Sequence, residues 1–331
     1  MLKLKYLFDN RDLALMLLSD WEYDRDRLDI MDNYRISANA IYPFYQDGEV
    51  CFLRFTPTEE KQLQAIQAEL DFIRYLLENG YHSPKTVLSK GGHEIAISET
   101  PWGKYVAVVF KSVGNYGQRL DRLEYSDILY YGFGETLGRL HLLSKKYAPV
   151  IKRPDWRQNL QWASDVLKKC LAPDIALKEV AILEDFFAKL PATQDNYGLV
   201  HYDFELDNVF FNRATSQYGV IDFDDAIYHW FVMDIEQSVD SLKNELPENL
   251  HEQAVSNFLS GYRSILNIEE SMLSLMPVFR RYANIFGYAR SLRSLNEKWK
   301  NEPDWMINLR KHIEESMVSR SKCFGENIYL P

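Results

Sequence analysis

Apolar residues recur along this chain at two spacings, and the change from one to the other organises it. Leu13, Leu17 and Leu18 form one apolar stripe at helical spacing, which predicts a helix over 10–23. From Ile36 the period drops to two: Ile36–Tyr45 and Glu49–Phe55 alternate around Gln46-Asp47-Gly48, and Asp-Gly between alternating runs predicts a hairpin. Helical spacing returns from Thr58 to about Asn79, with Leu63, Ile66, Leu70, Ile73 and Leu77 in phase and Gly80 where a helix ends. Thr86–Leu88, Glu94–Ser98 and Tyr105–Phe110 then read as short strands. The first part is thus expected to be a small antiparallel sheet with one long helix inserted after its third strand.

Beyond Gly114 the pattern is mostly helical, with helices predicted over 121–147, 155–171, 174–190, 232–244, 248–265, 269–296 and 303–322. Strands interrupt them only within 199–222, where Val209–Asn212 is expected to pair with Tyr218–Asp222 across the Arg213–Gln217 turn. No Pro- or Ser-rich linker marks a boundary; the shift in period places it near Lys111–Gly117 and divides the chain into 1–113 and 114–331.

Composition narrows the class. The 331 residues are 46% hydrophobic and 26% charged, an ordinary globular balance that excludes disorder and fibrous repeats. A net charge of −10 without a run of Lys or Arg argues against a nucleic-acid partner or an anionic membrane surface. The three cysteines (Cys51, Cys170, Cys323) are far apart, with no CxxC or Cys/His cluster to suggest a disulfide framework or zinc. The run Leu13–Leu18 is too short for a signal-peptide core, and no stretch approaches the ~20 apolar residues that span a bilayer. A cytoplasmic protein, monomer or homodimer, is expected.

The chemistry concentrates in 199–225. Asp203 follows an apolar strand and sits in a polar turn; Asn208 begins the next strand, and Asp222 ends its hairpin partner. Pairing brings residues 208 and 222 to the same end of the ladder. An amide and a carboxylate there suit Mg²⁺ on ATP phosphates, while Asp203 suits an acceptor hydroxyl.

His-x-Asp-x-x-x-x-Asn followed by Ile-Asp-Phe-Asp resembles the catalytic and metal loops of the aminoglycoside phosphotransferase/choline kinase family, whose usual form is His-Gly-Asp-Leu-His-Pro-Gly-Asn. Tyr202, Glu205, Leu206 and Asp207 depart from that form; Asp203 and Asn208 keep it. The resemblance implies a bilobal α+β protein-kinase-like fold and transfer of the ATP γ-phosphoryl group to a hydroxyl of a small molecule: an amino sugar, amino alcohol or hydroxy amino acid. It implies Asp203 as catalytic base, Asn208 and Asp222 as metal ligands, and His201 as a brace. Arg54 and Glu69 match the kinase-like pair of a phosphate-gripping base and a helix carboxylate; Glu59 and Glu60 lie in a first turn that merely favours acid. No glycine-rich loop or Walker A motif occurs. The turn Arg35–Tyr42 offers small Ser37 and Ala38, with Asn39 as a donor, as the phosphate cover. Val108–Lys111, including Val109, Phe110 and Lys111, is expected to offer backbone to the adenine edge, with Ile41 and Leu53 as apolar ceiling.

Asp224 and Asp225 are expected at the metal or at a cationic substrate, and Glu205 and Asp207 near the acceptor. Asp234 is read as a loop brace, His141 as a satisfied core histidine, and the Tyr282–Tyr288–Arg290–Arg293 stripe as packing or a substrate wall. The altered loop also leaves room for a catalytically impaired nucleotide-binding scaffold. A Ser/Thr protein kinase fits less well, because no activation segment separates Asp222 from the next helix.

Overall fold

A computed structural model describes residues 1–113 and 117–328; residues 114–116, inside the boundary expected at Lys111–Gly117, lie outside the described residues. The chain divides into two compact units: Met1–Leu123 with Tyr147–Lys152 and Asp207–Asp224, and Glu124–Lys146 with Arg153–Leu206 and Asp225–Pro331. The backbone is α+β, an antiparallel sheet followed by a largely helical remainder.

In the first unit α1 (Arg11–Leu18) is capped by Asn10, whose side chain accepts the Leu13 amide at 2.9 Å. Strands β1 (Arg35–Ile36), β2 (Ala40–Gln46) and β3 (Glu49–Pro57) follow. Asp47 and Gly48 turn the hairpin with φ of 52° and 78°, as Asp-Gly predicts. The sheet continues through β6 (Gly103–Lys111), which pairs with β3 on one edge and with β4 (Thr86–Val87) and β5 (Ile95–Thr100) besides.

Alternation along β3 sorts its side chains. Cys51, Leu53 and Phe55 enter the core with α1, Trp21, Tyr42 and Val109. Arg54, opposite Ile41 and Val108 in register, belongs to the other face. Leu53 therefore cannot share an adenine ceiling with Ile41; a period of two puts them on opposite faces.

Helix α2 spans Leu63–Glu78 rather than starting at Thr58. Pro57 closes β3, and residues 58–61 turn before extended Gln62 caps the helix. This register leaves Lys61 ahead of α2 and buries Glu69 within it. The unit is completed by β9 (Val209–Asn212), between β10 (Gln217–Val220) and a short β7 (Gln118–Arg119) that the sequence pattern did not show.

The second unit holds α3 (Asp127–Ser144), α4 (Trp156–Lys169), α5 (Asp174–Lys189), α6 (Val232–Glu245), α7 (His251–Ile265), α8 (Glu270–Leu273), α9 (Met276–Leu295) and α10 (Asp304–Arg320). Each lies inside or within two residues of an expected helix. The stretch expected as 269–296 breaks before Met276, because Pro277 lacks an amide and suits only a first helical turn. α3 and α7 cross closely: a Cβ on Gly134 would sit 1.9 Å from the Phe258 carbonyl oxygen, and one on Gly261 1.8 Å from that of Tyr131.

β8 (Tyr197–Val200) pairs antiparallel with β11 (Ile227–Trp230), a strand outside the 199–222 expected to hold all strands here. Phe187 anchors the aromatic core beneath it, 5.1–5.6 Å from the rings of Trp156, Trp230, Phe279 and Tyr282. No described helix is long and apolar enough to cross a membrane.

Candidate active site

Each unit carries part of the predicted constellation. In the first, Arg54 projects from β3 and meets Glu69 of α2 in a two-pronged pair: Nη1–Oε1 and Nη2–Oε2 are both 2.7 Å. Glu69 is 1% exposed and Arg54 8%. Burial opposes the charge on Arg54, yet Glu69 and then Asp222 hold its pKa above the ordinary value. The guanidinium also lies over the Phe110 ring, 4.8 Å from its centroid.

The hairpin of β9 and β10 sets the candidate metal ligands. Val209 opposes Val220, and the Ile221 amide donates to the Asn208 carbonyl at 3.0 Å. Asn208 and Asp222 thus stand at the same end of the ladder. Asp222 is exposed and held at φ 66°, a strained conformation for a non-glycine residue. Two oxygen-bearing side chains fit a small hard cation that keeps water and phosphate oxygens, as Mg²⁺ does, better than an all-protein cage. No group of three His, Cys, Asp or Glu residues suited to a metal occurs among the described residues.

Asp224, two residues on, turns back to the sheet. It forms an ion pair with Lys61, accepts from the Asn39 Nδ2 at 3.2 Å, and lies 3.9 Å from Arg54 Nη1. The sequence pattern does not single out Lys61, because a helix starting at Thr58 makes it one more first-turn residue. Ser37 lies with Asn39 in the turn between β1 and β2, its carbonyl accepting the Leu2 amide at 2.9 Å. Asp207 faces Arg119 at 3.5 Å, beside the closer pair of Arg119 with Asp121.

The expected adenine-edge backbone is otherwise engaged. Val109 and Phe110 have strands on both sides, and the amides of Lys111 and Ser112 donate to Lys85 and Val50 at 2.8 and 3.0 Å. Val109, Phe110 and Lys111 are part of β6, and the Ser112 amide just beyond it is taken by Val50.

In the second unit the loop after β8 is pinned from beneath. Asp234, at the start of α6, accepts the amides of His201 and Tyr202, each at 2.7 Å. His141 of α3 reaches the same carboxylate through Nε2 at 3.0 Å, and its Nδ1 lies 2.9 Å from the Tyr262 hydroxyl. His141 and Asp234 are wholly buried, so this is a satisfied core network that fixes the loop. The Ser238 hydroxyl donates to the Phe204 carbonyl at 2.9 Å, and the Leu206 amide to the Ser241 hydroxyl at 3.1 Å. Asp203 stands half-buried within this frame.

Asp225 pairs with Arg290 of α9 at 2.6 Å; burial opposes the charge on Arg290, yet Asp225 and then Asp203 hold its pKa above the ordinary value. The α9 stripe is therefore mixed. Tyr282 donates to the Trp156 carbonyl at 2.8 Å and Tyr288 packs on Phe324, whereas Arg290 turns to the loop. Glu205 is half-buried and adds to the rise in the Glu236 pKa.

Comparison with known proteins extends these local matches. The amicoumacin kinase of Bacillus subtilis (strain 168) is 24% identical over 325 residues, 94% of this chain and 94% of that protein. The solved structure of amicoumacin kinase hAmiN in complex with AMP-PNP, Ca²⁺ and Ami superposes with TM-score 0.76 at 21% identity, covering 96% of this chain and 95% of that one. The microcompartment-associated aminopropanol kinase gives TM-score 0.65 at 18% identity, over 95% and 97% of the two chains. The family model of the phosphotransferase enzymes matches residues 37–269, from the turn before β2 to the end of α7. On that match, this chain belongs to the phosphotransferase enzyme family.

Proposed function

We propose that the protein transfers the γ-phosphoryl group of ATP to a hydroxyl of a small molecule, with Asp203 as base. Family membership makes it a phosphotransferase. The observation that carries the assignment is the ordered set on one stretch of chain. It comprises a loop pinned by Asp234, then Asn208 and Asp222 at one end of a hairpin. The amicoumacin and aminopropanol kinases, named for small hydroxyl-bearing compounds, support an acceptor of that size.

In this reading the acceptor oxygen bonds to the γ-phosphorus, the bond from that phosphorus to the β-bridging oxygen breaks, and ADP leaves. The Asp203 carboxylate orients the hydroxyl and takes its proton. Asn208 and Asp222 hold Mg²⁺, which when bound neutralises charge on phosphate oxygens. Arg54, fixed in direction by Glu69, holds the α- and β-phosphates through its fork. Asn39 and Ser37 cover the phosphates in place of glycines, and Ile41 shares the Arg54 face. His141 and Asp234 touch no reactant; they hold the backbone that aims Asp203.

Two measurements test this. ATP should raise the melting temperature more with Mg²⁺ than without. A screen of hydroxyl-bearing metabolites should find one that stimulates ADP release. Equal shifts with and without Mg²⁺, together with no stimulating acceptor, would contradict the reading.

A further inference from the structure

Behind the Asp203 loop, the helical unit gathers three guanidiniums, from Arg280 and Arg290 of α9 and Arg320 at the end of α10. Two of them are matched. Arg290 pairs with Asp225; Arg280 binds Glu236 through Nε and Asp240 through Nη1 at 2.7 Å. Arg320 is different: it donates one long hydrogen bond of 3.5 Å to the Asn284 Oδ1, and no carboxylate is paired to it among the described residues. Burial, then the neighbouring charges of Arg280 and Arg290, push its pKa below the ordinary value.

The guanidinium lies on Gly287, where a Cβ would come within 2.6 Å of Nη1. Glycine there opens the path by which Arg320 reaches the cluster. Polar atoms around it are also left over. The Tyr202 hydroxyl is buried and has no partner, on a residue only 5% exposed; the Arg280 Nη2 is buried and unused. Tyr202 lies within electrostatic reach of Arg290, Arg320 and Glu236, its ring set edge-on to Phe286 at 5.6 Å. A buried hydroxyl donor and an unmatched cation each carry a free-energy penalty that an anion removes.

We propose that Arg320, Tyr202 and the free Arg280 Nη2 form a binding subsite for a carboxylate of the phosphoryl acceptor. A guanidinium fork suits a planar carboxylate, and the phenol adds a directional donor. Placement ties the subsite to the acceptor: Tyr202 immediately precedes Asp203, and Arg290 is in electrostatic reach of both. The proposal rests on reading Asp203 as the base of a phosphotransferase. It narrows the acceptor from any small alcohol to a hydroxylated acid, with or without an amino group.

The test uses the full chain and two probes, 4-hydroxybutanoate and homoserine, each beside its methyl ester. Binding is measured by calorimetry without nucleotide, and turnover separately as ADP release. The expected result is that an acid binds more tightly than its ester. Arg320→Met should weaken the acid about tenfold or more while leaving the ester unchanged; Arg320→Lys should recover part of the difference. If Arg320→Met melts early, Tyr202→Phe decides, and must itself shrink the acid-to-ester ratio. Equal binding of acid and ester, or a ratio untouched by these variants, overturns the subsite. Acid-selective binding without any ADP release would leave the subsite standing and count against the phosphotransferase reading of Asp203 instead.

Discussion

The Asp234 carboxylate accepts the backbone amide of Tyr202 at 2.7 Å, and Tyr202 is held at φ 66° in the position that is glycine in the usual family motif. The two facts belong together. A bulky residue stays in a left-handed turn only if something holds it. Asp234 does so from α6, and His141 holds Asp234 from α3.

Asp234→Ala removes the acceptor of two buried amides and of the His141 ring. Each stranded donor costs about 1–3 kcal/mol, so denaturant unfolding should show a loss of about 3 kcal/mol or more. Turnover should fall further than nucleotide affinity, because the loop that aims Asp203 loosens while Arg54 and Glu69 are untouched.

Tyr202→Gly restores the family residue and should nevertheless destabilise. Relief of the left-handed backbone is worth about 1–2 kcal/mol, whereas emptying a buried aromatic site costs about 3–5 kcal/mol. Thermal melting decides the sign: a net gain in stability would show that strain, not packing against Phe286 and Tyr282, dominates at this position.

Arg54→Met leaves Glu69 buried without its partner, which should cost about 3–5 kcal/mol of stability and raise the KM for ATP. Arg54→Met with Glu69→Leu removes the stranded charge as well. The double variant should recover much of the stability while nucleotide affinity stays low, separating the structural role of the pair from its role at the phosphates.

Glu236 supplies a pH signature. Desolvation, the largest cause, raises its carboxyl from 4.5 to about 7, against the opposing pull of Arg280. A raised acid binds its proton more tightly folded than unfolded. Its stabilising contribution is therefore complete below about 4.5 and is lost as pH rises through about 7. Glu236→Gln should flatten the pH dependence of unfolding free energy across that window, by a few kcal/mol; an unchanged slope would place the titration elsewhere.

Much of this was legible in the sequence, for identifiable reasons. Helical spacing locates α3 to α7 and α10 closely, α2 with a start five residues early, and α8 and α9 as one run; Asp47-Gly48 sets the first hairpin through local turn chemistry. Arg54 and Glu69 are legible as a pair through their match to the kinase-like strand base and helix carboxylate, and the structure joins them. What escaped was set by tertiary context. β11 is a four-residue run, Ile227–Trp230, too short to distinguish from the start of α6. Lys61 and Arg320 sit at helix ends, where a shift of a few residues changes which group a side chain meets. Ile41 and Leu53, expected together as an apolar ceiling, lie on opposite faces because the β2–β3 register sets Ile41 against Arg54 and Tyr42 against Leu53. β4 pairs with β6 at Val109 and Phe110, engaging backbone expected at the adenine edge, and such long-range pairing leaves no local mark.

In the proposed mechanism Asp203 acts on the acceptor while Arg54, Asn208 and Asp222 serve the nucleotide. Asp203→Asn keeps the shape of the side chain and removes its ability to take a proton. With an acceptor that stimulates ADP release, this variant should lose turnover by orders of magnitude. Its affinity for ATP with Mg²⁺, measured by calorimetry, should stay within about twofold of the parent. Equal loss of turnover and nucleotide binding, or turnover that survives the substitution, would contradict the account.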